Sequence, residues 1–301
     1  MLKQMKRTLC AAVAFGLATT LGVASAQEGL TLDKPAKIAM LYISPRNDGG
    51  WTQAFDEARQ KLETELDTRI QYVESVPENA SSIRPAVDRL IQRGANVIIG
   101  TAFGYSDTFK ELAAKYPDVA FLNGSGTTNS ANLESFYGRT YESQYLCGMA
   151  AGAASKTGKL GFVAANPFGQ VNWTVNAFAL GAQAINPDAT VTVVYTGAWN
   201  DPVKGGELVK AQVSQGADVI YAAAGATGIG VLQAAADAKI LSIGVDSNQN
   251  HLHPGKVLTS MVKRVDNAVY DAFKNGVEPG VKVLDLQAEG VDVAIDENNQ
   301  Q

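Results

Sequence analysis

From Lys37 onward, short continuous apolar runs alternate with longer segments whose apolar positions recur every three to four residues. The runs over 37–43, 69–75, 96–101 and 118–123 read as strands, and the periodic segments over 51–66, 81–93 and 106–115 read as helices. Ile38-Ala39-Met40-Leu41 and Val97-Ile98-Ile99 do not alternate with polar residues, so these strands are expected to be covered on both faces, as in parallel βαβ units. Arg93-Gly94 and Tyr116-Pro117-Asp118 punctuate the helix ends. Around Phe136 to Thr140 the rhythm breaks, and a helix of small residues over 143–155 follows. The alternation then restarts, with strands over 159–165, 189–195, 217–222 and 240–245 and helices over 171–184, 203–215 and 227–237. A further strand over 256–262, a helix over 266–275 and a strand pair across 281–295 complete the pattern. Two similar halves predict an α/β protein of two lobes, each a parallel sheet flanked by helices. The N-terminal lobe is expected over 36–139 plus 264–280, and the C-terminal lobe over 140–263 plus 281–301. Three crossovers between them predict a hinged clamshell whose cleft faces the strand ends.

The segment ahead of this pattern changes the setting. Lys3, Lys6 and Arg7 form a basic start, 9–23 is apolar and small, and Ala24-Ser25-Ala26 is a cleavage signal, so residues 1–26 read as a signal peptide cut after Ala26. The expected product is soluble and periplasmic, since no later stretch has the roughly 20 apolar residues of a membrane span. Losing those three cations takes the basic count from 25 to 22 against 30 acids, and an acidic chain argues against nucleic acid and anionic membranes as partners. With Cys10 in the leader, only Cys147 remains; no internal disulfide is possible, and its neighbours Leu146 and Met149 suit a small buried thiol.

Candidate chemistry collects at the predicted strand ends. The first lobe places Asn47, Asp48 and Trp51 beside Gly49-Gly50, then Phe103 and Asp107. The second places 166–173 with Trp173, then Trp199, the glycines of Gly225-Ala226-Thr227-Gly228, Asp246 and Lys263. In an open α/β sheet these loops are where ligands bind. Two glycines let backbone come close to a guest, and Trp51 either packs on the first helix or stacks on a flat ligand. All three tryptophans fall in predicted loops at this edge, which favours ligand contact for Trp51 and Trp199 and leaves Trp173 open. His251 and His253 lack a third ligand, so no metal is expected; Gly225 to Gly230 has the wrong spacing for a dinucleotide fingerprint, and no cofactor is expected. No phosphate-binding Gly-Lys-Ser/Thr loop and no nucleophile elbow occur, so neither an ATPase nor a serine hydrolase is indicated.

The motifs Gly49-Gly50-Trp51-Thr52-Gln53, Gly100-Thr101-Ala102-Phe103 with Asp107, Tyr145 to Ala151, Gly197-Ala198-Trp199-Asn200-Asp201-Pro202, Gly244-Val245-Asp246 and Ser260-Met261-Val262-Lys263 resemble, in order, those of the basic-membrane-protein (PnrA-like) family. These are periplasmic substrate-binding proteins of ABC transporters, and the best-known members bind purine nucleosides. The resemblance implies the type I periplasmic-binding-protein clamshell, a permease partner, a monomer and no enzymatic activity. Trp51 and Trp199 stand where the family has the phenylalanines that sandwich the base. Asp107 matches the carboxylate that reads the base edge, and Asp246 and Lys263 match the pair that holds the ribose. With both phenylalanines replaced by tryptophan and the family asparagine by Thr52, a free nucleobase or another flat heterocycle rivals the nucleoside. A nucleoside-processing enzyme is the alternative of another class, and a sensor that hands its bound state to a receptor kinase is a third.

Overall fold

The computed structural model describes residues 35–223, 225–275 and 280–295. The expected leader over 1–26 lies outside them. In the first half β1 (Ile38–Leu41), α1 (Trp51–Glu65), β2 (Gln71–Val73), α2 (Ala80–Gln92), β3 (Val97–Gly100), α3 (Ser106–Lys115), β4 (Ala120–Gly124) and β5 (Leu133–Gly138) follow one another. α4 (Thr140–Ala154), β6 (Lys159–Ala164), α5 (Gly169–Ile185), β7 (Thr190–Tyr195), α6 (Pro202–Ser214), β8 (Val219–Ala223), α7 (Ala226–Asp237), β9 (Leu241–Asp246) and β10 (Val257–Lys263) form the second series. α8 (Val265–Asn275), β11 (Gly280–Leu284) and β12 (Val291–Val293) come last.

Two six-stranded sheets result, ordered β11-β5-β4-β3-β1-β2 and β12-β10-β9-β8-β6-β7. Every pairing is parallel except β12 on β10. The continuous apolar strands explain this arrangement. Ile38 and Met40 belong to the core under one face of the first sheet, together with Phe55, Ala58 and Leu62 of α1, while Ala39 and Leu41 belong to the core under the other. Leu160 and Phe162 on one side and Val163 on the other do the same for the second sheet.

Local chemistry fixes the helix starts. Asn79 precedes α2 and its side chain accepts the Ser82 N–H at 2.9 Å; Asp201 precedes α6, accepts the Lys204 N–H at 3.0 Å, and is followed by Pro202 in the first turn. The small residues of α4 let α5 lie directly on it. A Cβ at Gly148 would stand 2.1 Å from the Phe178 carbonyl oxygen, and one at Gly181 2.0 Å from that of Tyr145.

Three expectations change. The break at 136–140 hides β5, whose buried Glu134 and Ser135 interrupt the apolar run that marks the other strands. The expected pair across 281–295 is no pair. β11 runs parallel to β5 as the edge of the first sheet, and β12 edges the second, so the last crossing falls after Leu284 rather than at 281. The small-residue helix starts at Thr140, three residues before the expected 143. The crossings are tied together, with the Arg139 N–H bonded to the Leu284 carbonyl at 2.7 Å and the Arg264 N–H to that of Gly290 at 3.1 Å.

Candidate functional site

One cavity opens between the two sheets, walled by residues that follow strands in both. Its first-lobe side is built on the loop between β1 and α1. Asp48 is 7% exposed and caps that helix: one carboxylate oxygen accepts the N–H groups of Gly50 and Gln53, each at 3.0 Å, and the other accepts that of Thr52 at 3.1 Å. Burial pushes its pKa up, the three N–H groups pull it back, and the charge of Asp246 adds to the rise, leaving it above the ordinary carboxylate value.

Trp51 then both packs and faces the cavity. Its indole N–H donates to the Thr101 carbonyl at 2.6 Å and its ring meets Phe55 edge-on at 4.8 Å, so the ring plane is fixed before any ligand arrives. The ammonium of Lys263 lies 4.6 Å from the ring centroid. Lys263 closes β10 and Asp246 closes β9, and the two strands pair in parallel, which brings Nζ and Oδ1 to 2.6 Å. Asp246 is 3% exposed and Lys263 is 24% exposed, so the carboxylate is the enclosed partner and the ammonium faces the open space. Asp246 holds φ at 71°, a left-handed conformation that aspartate tolerates better than most residues.

Aromatic rings complete the wall. Phe103 of the first lobe stacks on Phe168 of the second at 5.2 Å between centroids and 18° between planes, and Phe168 approaches Trp199 at 6.4 Å and 42°. Trp173, 49% exposed, lies at the cavity wall one turn into α5.

Gly49 and Gly50 lie against the opposite lobe. A Cβ at Gly50 would stand 3.2 Å from Asp246 Oδ2 and 3.6 Å from Gly225 Cα; one at Gly49, whose φ is +71°, would stand 2.7 Å from Ile229 Cδ1. The side-chain amide of Gln249 also donates to the Gly49 carbonyl. The glycines therefore admit the opposite lobe.

Three of the expected site residues lie off the wall. Asn47 is exposed and outside the lining. Asp107 is exposed in the first turn of α3, where an acid suits the positive end of the helix. Gly228 is buried inside α7, its Cβ position 3.2 Å from the Ala222 carbonyl; Gly225, at φ +52°, lines the cavity in its place. Residues that the sequence did not single out are Tyr141, Arg264 and Glu78, all on the wall, where Phe168 represents the expected stretch 166–173. Arg264 is bonded through Nε to Asp266 at 3.2 Å, and Glu78 Oε1 accepts the Gly104 N–H at 2.7 Å. Among the described residues no group of three or more His, Cys, Asp or Glu could hold a metal ion, and no helix is long and apolar enough to cross a membrane. Cys147 is buried, its thiol pKa pushed up to about 12 by desolvation, so it is not an activated nucleophile.

Known proteins resemble both the sequence and this architecture. Residues 36–300 match the family described as ABC transporter substrate-binding protein PnrA-like. A purine-binding protein of Brucella abortus is 34% identical over 243 residues, 80% of this chain and 67% of that protein. A putative ABC transporter glucose-binding protein of Haloferax volcanii is also 34% identical, over 82% of this chain and 66% of its own length. The chain thus spans about two thirds of each relative. In fold, the crystal structure of an ABC transporter solute-binding protein from Aeropyrum pernix superposes with a TM-score of 0.79 at 23% identity, covering 87% of this chain and 77% of that one.

Proposed function

The chain belongs to the PnrA-like family of ABC transporter substrate-binding proteins, and from that premise we propose that it is an exported receptor which closes on a purine nucleoside and delivers it to a membrane permease. The observation that carries this reading is an aromatic ring from each lobe on one cavity, Trp51 from the first and Trp199 from the second, with Phe103 and Phe168 stacked on each other at the same wall. A flat base gains on the order of 1–3 kcal/mol from each stacking partner. Contact with both lobes is also what lets a ligand favour the closed form, because binding shifts an equilibrium only by its differential affinity for the two states.

In this reading Trp51 and Trp199 hold the base, Asp246 and Lys263 meet the ribose hydroxyls, and the receptor acts as a monomer in the periplasm. Lys263 supports the sugar contact, since its ammionium faces the cavity with donors to spare beyond Asp246. One observation favours a second reading, a free purine base. The 2.6 Å ion pair and the cation over Trp51 satisfy these groups without a sugar. The name of the Brucella relative, a purine-binding protein, agrees with either ligand. That of the Haloferax relative makes glucose the natural control.

A thermal-shift screen of the refolded, ligand-stripped protein separates these. A ligand that binds only the native state must raise the melting temperature. The expected result is a rise with inosine, guanosine or adenosine; an equal or larger rise with the free bases would replace the nucleoside by the base, and a rise with glucose alone would remove the purine reading.

A further inference from the structure

Five charged side chains line the cavity: Asp48, Glu78, Asp246, Lys263 and Arg264. Four of them have partners within the protein, although the Asp246–Lys263 pair leaves Asp246 Oδ2 and further Lys263 donors over. Asp48 spends both oxygens on the three N–H groups at the start of α1, Asp246 and Lys263 hold one another across 2.6 Å, and Arg264 is bonded to Asp266 through Nε and Nη2. One oxygen of Glu78 accepts the Gly104 N–H, and the other receives no hydrogen bond from any described residue.

We propose that Glu78, and not Asp107, is the carboxylate that reads the edge of the bound base, so that the ligand is a purine presenting N–H donors there. The inference rests on the purine reading above and adds the residue and the donor pattern to it.

The placement of Glu78 is built rather than incidental. Pro77 and the helix cap Asn79 flank it, and the Asn79 N–H closes a tight turn onto the Pro77 carbonyl at 2.8 Å. Its bonded oxygen is fixed by Gly104, a position where a Cβ would stand 2.7 Å from Glu78 Cβ and 2.9 Å from Oε1. Only glycine leaves room for this carboxylate. Gly104 follows Phe103, whose ring is half of the stack that joins the two lobes, so the free oxygen is held next to the aromatic wall. Asp107, one turn further along, is exposed at the start of α3 and off the wall.

A carboxylate is an acceptor for an exocyclic amine or a ring N–H, and such charge-assisted bonds are the stronger kind. Facing a ring nitrogen lone pair or a methyl group instead, the oxygen is desolvated without a partner, and that penalty is what produces discrimination. Adenine, guanine and hypoxanthine each carry a suitable N–H edge; methylation of that edge removes it.

The experiment is calorimetric titration of ligand-stripped wild type, Glu78→Gln and Asp107→Asn with adenine, guanine, hypoxanthine, N6,N6-dimethyladenine and 1-methylhypoxanthine, each as the free base and as its nucleoside. Glutamine keeps an oxygen for the Gly104 N–H, so an unchanged melting temperature of the ligand-free variant is expected. It replaces the free oxygen by a donor. The expected result is a loss of about tenfold or more for the base that wild type binds best in Glu78→Gln, a change within about twofold in Asp107→Asn, and wild-type discrimination against the methylated partner that shrinks in Glu78→Gln. Bases that bind wild type and Glu78→Gln alike, or a loss confined to Asp107→Asn, overturn the assignment and leave the purine reading standing. A wild type that binds none of the bases or their nucleosides overturns both.

Discussion

Trp51 is where residue chemistry and closure meet: its indole is locked by Thr101 and Phe55 on one side and faces Lys263 on the other. Because the ring is ordered before binding, a stacked base pays little entropy to use it. Trp51→Ala and Trp199→Ala are each expected to weaken binding by about tenfold or more, the equivalent of 1–3 kcal/mol of stacking, measured by calorimetry on variants that keep a cooperative unfolding transition. Unchanged affinity in both would end the stacking account. The sequence left Trp51 open between packing on the first helix and facing a ligand, and the structure shows a packed ring that also lines the cavity. Glu78 was not legible in the sequence, since a lone acid between Pro77 and the cap Asn79 reads as a solvated turn until the structure brings Gly104 to it. Asp107, which the motif spacing offered as a site residue, is exposed in the first turn of α3 and outside the cavity lining.

Asp218 shows another residue effect, on stability. Burial raises its pKa, but the Ser155 hydroxyl and the N–H groups of Lys156 and Thr157, at 2.7 and 2.9 Å, outweigh burial and leave it below the ordinary value. A depressed carboxylate contributes stability that is present above its unfolded pKa, near about 4, and is lost as pH falls through the folded value. Asp218→Asn is therefore expected to lower stability at neutral pH and to flatten its decline in acid, read from urea unfolding across that range.

At the scale of elements, the strand–helix alternation carried most of the fold because both faces of each central strand are covered, which leaves an unbroken apolar signature. The signal fails at edges and at mixed strands. β5 contains buried Glu134 and Ser135, and β11 and β12, each an edge strand, look like one hairpin until their different sheets are seen. The α4–α5 contact was legible as a run of small residues, and it gives a sharp test. Gly148→Val is expected to cost about 1–3 kcal/mol or more, because its side chain would collide with the Phe178 carbonyl and force the helices apart; thermal or urea unfolding measures this.

For the whole molecule, the contact of Gly49 and Gly50 with Ile229, Gly225, Asp246 and Gln249 ties the two lobes at the cavity's edge. Gly50→Val is expected to hold the lobes apart, raising the radius of gyration of the ligand-bound form in small-angle scattering and weakening binding without loss of either sheet. A radius and affinity equal to wild type would mean that the close approach does not govern closure.

The three tryptophans of the chain all lie on the wall of this one cavity. Titration of the refolded, ligand-stripped protein with a purine, followed by tryptophan fluorescence, therefore reports on the central claim directly. Saturable quenching at one purine per chain, with no response to glucose, is the predicted result; a signal that no purine base or nucleoside alters in a saturable way would contradict it.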